Sequence, residues 1–332
     1  MNHRKSLKGL RATLMAVALG VVGVQPVCAQ AAPADWPNKP LKLIVSFPPG
    51  GVTDTIARAL QPRLSEGLGQ PVVIENRGAA GGTLAEGTLA RSSPDGYTMM
   101  LTADGVAANP HLHPNLPYDT FKDLLPVSLL VRIPLVMLVN PSVPANTVKD
   151  FVEYARVNSS MVSYASPGSG TSNHLFFEVF KDMAKLDIQH VPYKGGSPAM
   201  SDLMGGHVQA LLITSTVAAP QLPGGKIKAL AVTSSERSAQ MPNVPTFIEA
   251  GYPDFKPHQW TGLFLPAGTP PAIVERIRTE FDKAMNAPEV VTRLRDLGAE
   301  PVMNTQKEFT ELLQRDHAAL GKLIKSRNIS AQ

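Results

Sequence analysis

The stretch LKLIVSFPPGGVTDTIARAL, residues 41–60, decides the fold class, because it passes from an apolar strand through a Pro-Gly turn into an amphipathic helix. The same order recurs downstream. PVVIEN (71–76) precedes a helical pattern near 83–92, and PDGYTMMLT (94–102) supplies a turn and a third strand. This βαβαβ spacing predicts an α/β fold, with a parallel sheet covered by helices on both faces.

A second series of the same kind begins after PLVMLVNP (134–141) and closes with the strand IKALAVTS (227–234). Two long extended stretches flank it, LLPVSLLVRIPLVMLVN (124–140) and HQWTGLFLP (258–266). We interpret both as strands that cross between two lobes hinged on a cleft. The predicted lobes comprise residues 36–133 plus 257–332 and residues 134–256.

Local signals define the ends of several helices. Thr147 with Asp150 and Thr305 with Glu308 have the spacing of capping boxes, which predicts helices that start at these points. Pro62 falls inside the first helical pattern. Because an interior proline costs a helix about 3 kcal/mol, we expect a kink or an early stop there.

The N-terminus carries the net charge of the chain. The 332 residues include 31 basic and 27 acidic ones, for a formal charge of +4. Four basic residues precede the apolar run LMAVALGVVGV (14–24) and the small residues of PVCAQAA. This pattern predicts a secretory signal peptide over residues 1–29, with cleavage after Ala29 or, alternatively, after Ala31. The apolar run is too short for a membrane span.

Removal of this peptide takes away four basic residues and no acidic one, so the mature chain is formally neutral. A formally neutral chain lacks the excess of basic residues that is typical of proteins that bind nucleic acid or anionic lipid. Either cleavage also removes Cys28, the only cysteine, although a lipid anchor on Cys28 is an alternative. We therefore expect no disulfide, no thiol chemistry and no cysteine-based metal site.

The first strand-to-helix turn is a candidate ligand site. Ligands of open α/β sheets bind beyond the carboxyl ends of the strands, where helix N-termini offer unpaired N–H groups. Gly50 and Gly51 allow a close approach to the backbone, and Phe47 offers an apolar wall. Thr53 or Asp54 is expected to cap the helix. A plain turn, with glycines chosen for their backbone angles alone, is the alternative.

The loop SPGSGTSNH (166–174) is the counterpart in the second series. It interleaves glycines with hydroxyl side chains ahead of a helix and is a candidate cradle for a carboxylate. A solvated Ser-Gly loop is the alternative. The candidate residues are Ser166, Gly168, Ser169, Gly170, Thr171 and Ser172.

Two further candidates end neighbouring strands on what should be the same rim. Lys194 in YKGG is the one cation well placed to meet an anion, although most lysines merely face water. Thr214 in ITS (213–215) offers a hydroxyl group.

Other chemistries lack their motifs. RGAAGGT (77–83) has neither the Lys-Ser/Thr of a phosphate loop nor the G-x-G-x-x-G spacing, and PGSGTS (167–172) is not a nucleophile elbow. The eight histidines show no metal-ligand spacing, and we interpret His174 and His190 as packing residues or rim donors. No paired carboxylates suggest acid-base work. We therefore expect no metal, no cofactor and no enzymatic activity.

Several motifs in a fixed order resemble one known family. They are SFPPGGVTDTIAR, PVVIENRGAAGGTLAEGTLA, SPDGYTMML, YASPGSGTSNHL, HVPYKGGSPAMSDLMGGHV and MPNVPTFIEAGYP. Together they resemble the extracytoplasmic solute-binding receptors of the Bug/TctC type, which belong to tripartite tricarboxylate transporters. The resemblance runs from about Trp36 to the C-terminus.

This resemblance implies a two-lobed periplasmic binding protein (type II, Venus-flytrap) that closes on a small organic acid. It implies ligand contacts for Phe47, Gly50, Gly51, Asp54, Ser166, Gly168, Gly170, Thr171 and Ser172. Integral membrane permease subunits are the implied partners, a sensor kinase is the alternative partner, and we expect a monomer. Relatives often carry Asp or Asn and an aromatic residue within 211–216, where this chain has Thr214 and Ser215. That departure favours a ligand without an amino group.

Overall fold

The computed structural model describes residues 35–78 and 80–331. The predicted signal peptide and Cys28 lie outside the described residues. The strands are β1 Leu41–Val45, β2 Val72–Asn76, β3 Thr98–Ala103, β4 Leu124–Val139, β5 Ser163–Ser166, β6 Gln189–Pro192, β7 Ala210–Thr214, β8 Lys228–Val232, β9 His258–Pro266 and β10 Glu300–Pro301. The α-helices are α1 Val52–Leu68, α2 Thr83–Ala90, α3 Gly105–Leu112, α4 Val148–Val157, α5 Ser172–Ala184, α6 Gly196–Gly205, α7 Ser215–Ala218, α8 Pro271–Met285, α9 Pro288–Asp296 and α10 Gln306–Ser326.

The sheet follows the order β2-β1-β3-β9-β4-β7-β5-β6, with β8 and β10 also paired to β4. β1 runs parallel to β2 and β3, and β5 runs parallel to β6 and β7. β9 is antiparallel to β3 and β4. The α/β fold expected from the alternating pattern is confirmed, with a parallel set of strands in each half.

Strand β4 belongs to both halves of the sheet. Its residues Leu124–Pro134 pair with β9, and Leu135–Val139 pair with β7. The expectation that HQWTGLFLP also crosses between the lobes is wrong, because within residues 35–78 and 80–331 the strand β9 pairs only with β3 and the first part of β4. Lobe 1 here means β1, β2, β3, β9 and the first part of β4; lobe 2 means β5 to β8 and the rest of β4.

Each lobe has its own apolar core. In lobe 1, buried side chains from β1, α1 and α8 pack together, with Leu43, Ile56 and Ile277 fully covered. In lobe 2, an aromatic cluster that includes Tyr164 and Phe180 fills the space between the sheet and α5. A third, small cluster joins α3, α5 and α10 and therefore ties the lobes together; it contains Ala108, Leu175, Leu323 and Ile324.

Two helix starts agree with the sequence prediction, and one predicted helix end does not. Thr147 with Asp150 and Thr305 with Glu308 form reciprocal capping boxes, as predicted. The early stop at Pro62 is wrong, because α1 continues to Leu68 and ends at the left-handed Gly69. Leu60 and Leu64 are fully buried on either side of the exposed Pro62. Their packing against the sheet offsets the cost of the missing helical hydrogen bond.

Over residues 35–78 and 80–331, no helix has both the length and the apolar character needed to cross a bilayer.

Candidate functional site

The turn between β1 and α1 is closed by a side chain from inside the helix. Gly51 is the N-cap residue, in an extended conformation, and Gly50 before it has a φ of +83°. The N–H of Gly50 donates to Oδ2 of Asp54, the third residue of the helix, over 2.8 Å. Gly50 therefore provides the left-handed conformation that the turn requires. Neither Thr53 nor Asp54 caps the helix in the expected way.

Asp54 is itself held from three sides and is almost fully buried. Nε of Arg58 donates to Oδ2 over 2.9 Å, and Nδ2 of Asn76 donates to Oδ1 over 2.9 Å. The same amide of Asn76 donates to the carbonyl of Phe47 over 3.0 Å. Burial by itself raises the pKa of Asp54, but the hydrogen bonds from Arg58, Gly50 and Asn76 outweigh it and hold that pKa below its usual range. Asp54 therefore shapes the turn.

The loop between β5 and α5 has the same construction with a different acceptor. Thr171 is the extended N-cap residue, and Gly170 before it has a φ of +78°. The N–H of Gly170 donates to Nδ1 of His174, again the third residue of the helix, over 3.1 Å. GGVTD (50–54) and GTSNH (170–174) therefore share a glycine followed four residues later by a side-chain acceptor.

Two histidines support the second loop. The rings of His174 and His190 stack with centroids 3.8 Å apart and planes 8° from parallel. Nε2 of His190 lies 2.7 Å from the hydroxyl of Ser166, which also donates to the carbonyl of Gly168 over 2.9 Å. Burial lowers the pKa of His174 to about 4 and that of His190 to about 3, so both rings are neutral near pH 7. The interpretation of both histidines as packing residues agrees with this geometry.

Ser166 and His190 are a hydroxyl-imidazole pair that the sequence pattern did not reveal. Nucleophilic catalysis needs an accessible hydroxyl, a base near its working pH and a group that orients the base. Ser166 is fully buried, and its proton is directed to Gly168. The pKa of His190 is about 3, and no carboxylate of the described residues hydrogen-bonds its ring. The pair therefore braces the loop and has the wrong properties for a nucleophile and its base.

Close packing in lobe 1 places a glycine segment beside the first turn. A Cβ added to Gly78 would lie 2.4 Å from Pro48, and one added to Gly82 would lie 3.5 Å from Cβ of Ser46. Behind this segment the carboxyl group of Glu86 is fully buried and accepts from Asn109 and Tyr118. Burial raises the pKa of Glu86 to about 7. The packing of these glycines against the turn depends on residues about 30 positions away, so the sequence pattern of RGAAGGT does not indicate it.

Direct contacts join the two lobes. The segment before α5 packs against the end of α3, because a Cβ added to Gly170 would lie 3.0 Å from Cδ1 of Leu112. Nε2 of Gln259 donates to Oδ1 of Asn173 over 2.9 Å. The hydroxyl of Thr216 donates to the carbonyl of Leu297 over 2.8 Å. The N-terminus of α5 in lobe 2 therefore meets the end of α3 and the start of β9 in lobe 1.

The structure gathers the predicted site residues into two groups. Phe47, Gly50, Gly51 and Asp54 form the first turn, beside the end of β3. Ser166, Gly168, Gly170, Thr171 and Ser172 form the second loop. The turn that contains Lys194 adjoins this loop, because the N–H of Gly195 donates to the carbonyl of Pro167 over 2.9 Å.

Lys194 and Thr214 differ in exposure. Lys194 is exposed and forms no ion pair or hydrogen bond with another residue in 35–78 or 80–331. Thr214 is buried at the end of β7, which runs parallel to β5, and precedes the short helix α7.

Thr171 already donates its hydroxyl proton to the carbonyl of Gly168 over 2.7 Å. Across the described part of the chain, no group of three His, Cys, Asp or Glu side chains has the arrangement of a metal site.

Two α/β lobes that share strand β4, each with parallel strands followed by helix N-termini, have the architecture of a two-lobed solute-binding protein. The chain belongs to the tripartite tricarboxylate transporter family of receptors (TctC), whose family model matches residues 56–329. It is 35% identical over 324 residues to a UPF0065 protein from the tcbD–tcbE intergenic region of Pseudomonas sp. strain P51, covering 97% of this chain and 96% of that protein. BugT of Bordetella pertussis is 34% identical, over 88% of this chain and 90% of its own.

Solved structures of similar proteins agree with this assignment. The periplasmic binding protein BugD superposes with a TM-score of 0.75 at 32% identity, over 90% of this chain and 100% of its own. MatC of Rhodopseudomonas palustris, solved with bound malate, has a TM-score of 0.74 at 34% identity, over 87% and 100%. Rpa4515 of R. palustris, solved with adipate, has a TM-score of 0.77 at 33% identity, over 89% and 99%. The two-lobed fold and the Bug/TctC resemblance are confirmed.

Proposed function

We propose that this protein is a receptor that binds a small organic carboxylate between its two lobes. The observation that carries the proposal is the pair of matched junctions, each with a glycine N–H tied to the third residue of the helix. This closure uses one N–H of each turn and leaves the first N–H groups of α1 and α5 for a ligand. Oriented N–H groups stabilise an anion without a cationic side chain.

The proposed contacts divide into groups that touch the ligand and groups that shape the site. The backbones of Gly51 and Ser172, the Ser172 hydroxyl and the side chains of Phe47 and Thr214 are assigned to the ligand, whereas Thr171, whose hydroxyl donates to Gly168, shapes the loop. Lys194 is a rim cation for a second carboxylate. Asp54 and Ser166 act through the loops they hold, because their polar atoms are already bonded within the protein. Gly50, Gly168 and Gly170 supply the backbone shape.

The class of ligand follows from the site and from related proteins. Malate and adipate, which are bound by MatC and Rpa4515, are both dicarboxylates. A site with two helix N-termini, one on each lobe, suits a molecule with a carboxylate at each end. A micromolar Kd needs about 8 kcal/mol, which several charge-assisted hydrogen bonds in a cleft drained of water can supply.

The proposal includes export and delivery. The basic and apolar pattern of residues 1–29 supports export to the periplasm by a signal peptide. The family supports presentation of the ligand to an integral membrane permease. We keep the lobe boundaries at 36–133 plus 257–332 and at 134–256, supported by the change of partner of β4 after Pro134.

A calorimetric and thermal-shift screen tests the proposal. The purified protein is titrated with malate, adipate, citrate and benzoate, and at least one dicarboxylate is expected to bind with micromolar affinity and raise Tm. Gly51→Val is the matched steric variant. Gly51 has an ordinary φ of −72°, so valine fits the backbone while its side chain blocks approach to the turn. Failure of every acid, or wild-type affinity in Gly51→Val, would contradict the proposal.

A further inference from the structure

Helix α10 begins on the core of lobe 1 and ends against lobe 2. Phe309 and Leu313, in its first half, are buried in a cluster with side chains of β1, β3 and β9. Leu323 and Ile324, near its end, are buried in a cluster with Leu175 of α5. The segment that follows this helix is therefore carried by lobe 1 but starts beside the helix that the β5–α5 loop precedes.

The chain turns back at the end of α10. Arg327 is the C-cap residue, and Asn328 after it has a φ of +50°. The N–H of Ile329 donates to the carbonyl of Ile324 over 3.0 Å, and the N–H of Asn328 donates to the carbonyl of the residue after Ile324 over 3.4 Å. This is the hydrogen-bond pattern of a Schellman motif, in which asparagine can take the left-handed position. The motif sets the direction of residues 327–330, which we call the strap.

The strap contacts lobe 2 at two points. At its start, Arg327 forms an ion pair with Asp182 and lies 3.7 Å, from Nε to Oε2, from Glu178; both acidic residues belong to α5. At its end, the hydroxyl of Ser169 donates to the carbonyl of Ser330 over 2.8 Å. Ser169 lies in the β5–α5 loop. A side chain of this loop is therefore held by backbone that α10 anchors in lobe 1.

The ion-paired end of the strap also reaches the residues that support the loop. Glu178 is buried and accepts from the hydroxyl of Tyr164 over 2.5 Å and from Nζ of Lys181 over 2.7 Å. The ring of Tyr164 stacks on that of His190 with centroids 4.9 Å apart, and Nε2 of His190 lies 2.7 Å from the hydroxyl of Ser166. The strap therefore meets the loop both directly and through the side chains behind it.

We infer that the strap positions the β5–α5 loop for the ligand, with Arg327, Asn328 and Ser169 as its positioning residues. This inference rests on the proposed function and deepens it, because part of the affinity of a loop in lobe 2 then comes from a segment carried by lobe 1. A loop held in its binding conformation before the ligand arrives loses less conformational entropy on binding. Ser169 uses its single hydroxyl proton in the bond to Ser330, so it acts on the ligand through the loop.

Two substitutions of Asn328 test the strap while leaving Arg327 and Ser169 in place. Valine is strongly disfavoured at positive φ and should redirect the strap, whereas glycine adopts this conformation readily. In calorimetry with malate and adipate, Asn328→Val should raise Kd about fivefold, and Asn328→Gly should stay within about twofold of the wild type. Because the side chain of Asn328 is exposed, Tm should stay close to the wild-type value in both.

A second pair of variants tests the charged end of the strap. Arg327→Ala should raise Kd about threefold, and Arg327→Lys, which keeps a cation beside Asp182, should restore most of the affinity. Arg237→Ala is the matched control, because Arg237 forms an ion pair of similar exposure with Glu249 in another segment of lobe 2. This control should bind both acids like the wild type.

A double-variant cycle separates a tie to the strap from a direct ligand contact of Ser169. Ser169→Ala alone should raise Kd about threefold, because the loop loses its bond to Ser330. Combined with Asn328→Val, it should add less than about 1.5-fold, since the strap is already displaced. In the ligand-free protein, hydrogen exchange of amides 168–172 should quicken in Asn328→Val, while that of amides 50–54 stays unchanged.

The outcomes separate the two proposals. If the acids bind and Asn328→Val matches the wild type, or if Ser169→Ala weakens binding equally with and without Asn328→Val, the role of the strap is overturned while the receptor function stands. Unchanged exchange of amides 168–172 in both Asn328→Val and Arg327→Ala would overturn it as well. If no acid of the screen binds, the proposed function fails, and the exchange measurement, which needs no ligand, still decides whether the strap holds the loop.

Discussion

The β1–α1 turn and the β5–α5 loop have the same backbone geometry but are closed by side chains of opposite character. In the first, an ionised carboxylate, Asp54, accepts the glycine N–H and is balanced by Arg58 and Asn76. In the second, a neutral imidazole, His174, accepts it and is supported by the stacked ring of His190. The same backbone turn can therefore be held by an ionised carboxylate acceptor or by a neutral imidazole acceptor within an aromatic stack.

The difference shows where each lobe obtains its rigidity. The first junction depends on hydrogen bonds that reach from α1 to the end of β2, because Asn76 bonds both Asp54 and the carbonyl of Phe47. The second depends on the aromatic core of lobe 2, since Tyr164 stacks on His190 at 4.9 Å and on Phe177 at 3.9 Å. We expect the two junctions to fail under different perturbations.

The largest effect is expected from Asp54→Ala. This change removes the acceptor for Gly50 and leaves the half-buried amide of Asn76 short of one partner. Affinity for the dicarboxylate should fall about 100-fold, and the free energy of unfolding should fall by about 2 kcal/mol. Calorimetry and urea denaturation measure the two. Asp54→Asn, which keeps an acceptor oxygen, should lie between Ala and wild type; equal losses would show that geometry matters less than charge.

The next effect is expected from the double variant Thr171→Ala with Ser172→Ala. Affinity should fall about tenfold or more because two hydroxyl groups leave the second loop, while Tm stays nearly unchanged. Thr147→Ala is the matched control, since Thr147 is also an N-cap threonine of lobe 2 but starts α4. It should cost about 1 kcal/mol of stability and leave binding intact. Normal affinity in the folded double variant would remove these hydroxyl groups from the site.

His174→Phe separates the hydrogen bond of the second junction from its stacking. The phenyl ring keeps the contact with His190 but offers no acceptor to the N–H of Gly170. We expect affinity to fall about fivefold and the free energy of unfolding to fall by about 1 kcal/mol. If His174→Phe bound the ligand like the wild type, ring stacking alone would hold the loop. The two junctions would then share their backbone geometry but not a required hydrogen bond from the glycine.

The smallest effect is a difference in acid sensitivity. The pKa of His174 is about 4 in the folded protein and near 6.5 when the ring is exposed, so an opened loop takes up a proton first as the pH falls through this window. Hydrogen exchange of amides 168–172, corrected for intrinsic rates, should therefore quicken about twofold between pH 6.5 and pH 6. The exchange rate of amides 50–54 should stay unchanged until the pH falls below 3.8, because the pKa of Asp54 is lowered. Simultaneous loosening would refute the distinction.

Patterns within one element were predictable from the sequence. The strands, the α/β alternation and both capping boxes depend on residues within a few positions of each other. The early helix end predicted at Pro62 is wrong because the cost of an interior proline is outweighed by the packing of Leu60 and Leu64. These side chains pack against a sheet whose other strands come from elsewhere in the chain. The partner strands of β9 are likewise a tertiary property.

Among the site residues too, motifs within one loop were predictable, whereas contacts between distant positions were not. The two glycine turns were visible as motifs, but the acceptors that close them were not recognised, although the glycine-to-acceptor spacing in GGVTD and GTSNH carries that signal. Ser166 with His190 and Asn173 with Gln259 are separated by 24 and 86 positions, so no local pattern joins them. Asp54 stood out as a polar residue near the turn, yet only the three-dimensional contacts show its bonds to Arg58 and Asn76.

Strand β4 has a practical consequence for engineering. Its 16 residues supply backbone pairing to both halves of the sheet without an intervening linker. A cut or an inserted reporter domain inside it would leave two raw strand edges, each a template for aggregation. Fluorescent sensors derived from this scaffold should accept their insertions in surface loops far from β4, where a change in the angle between the lobes can still be transmitted to the reporter.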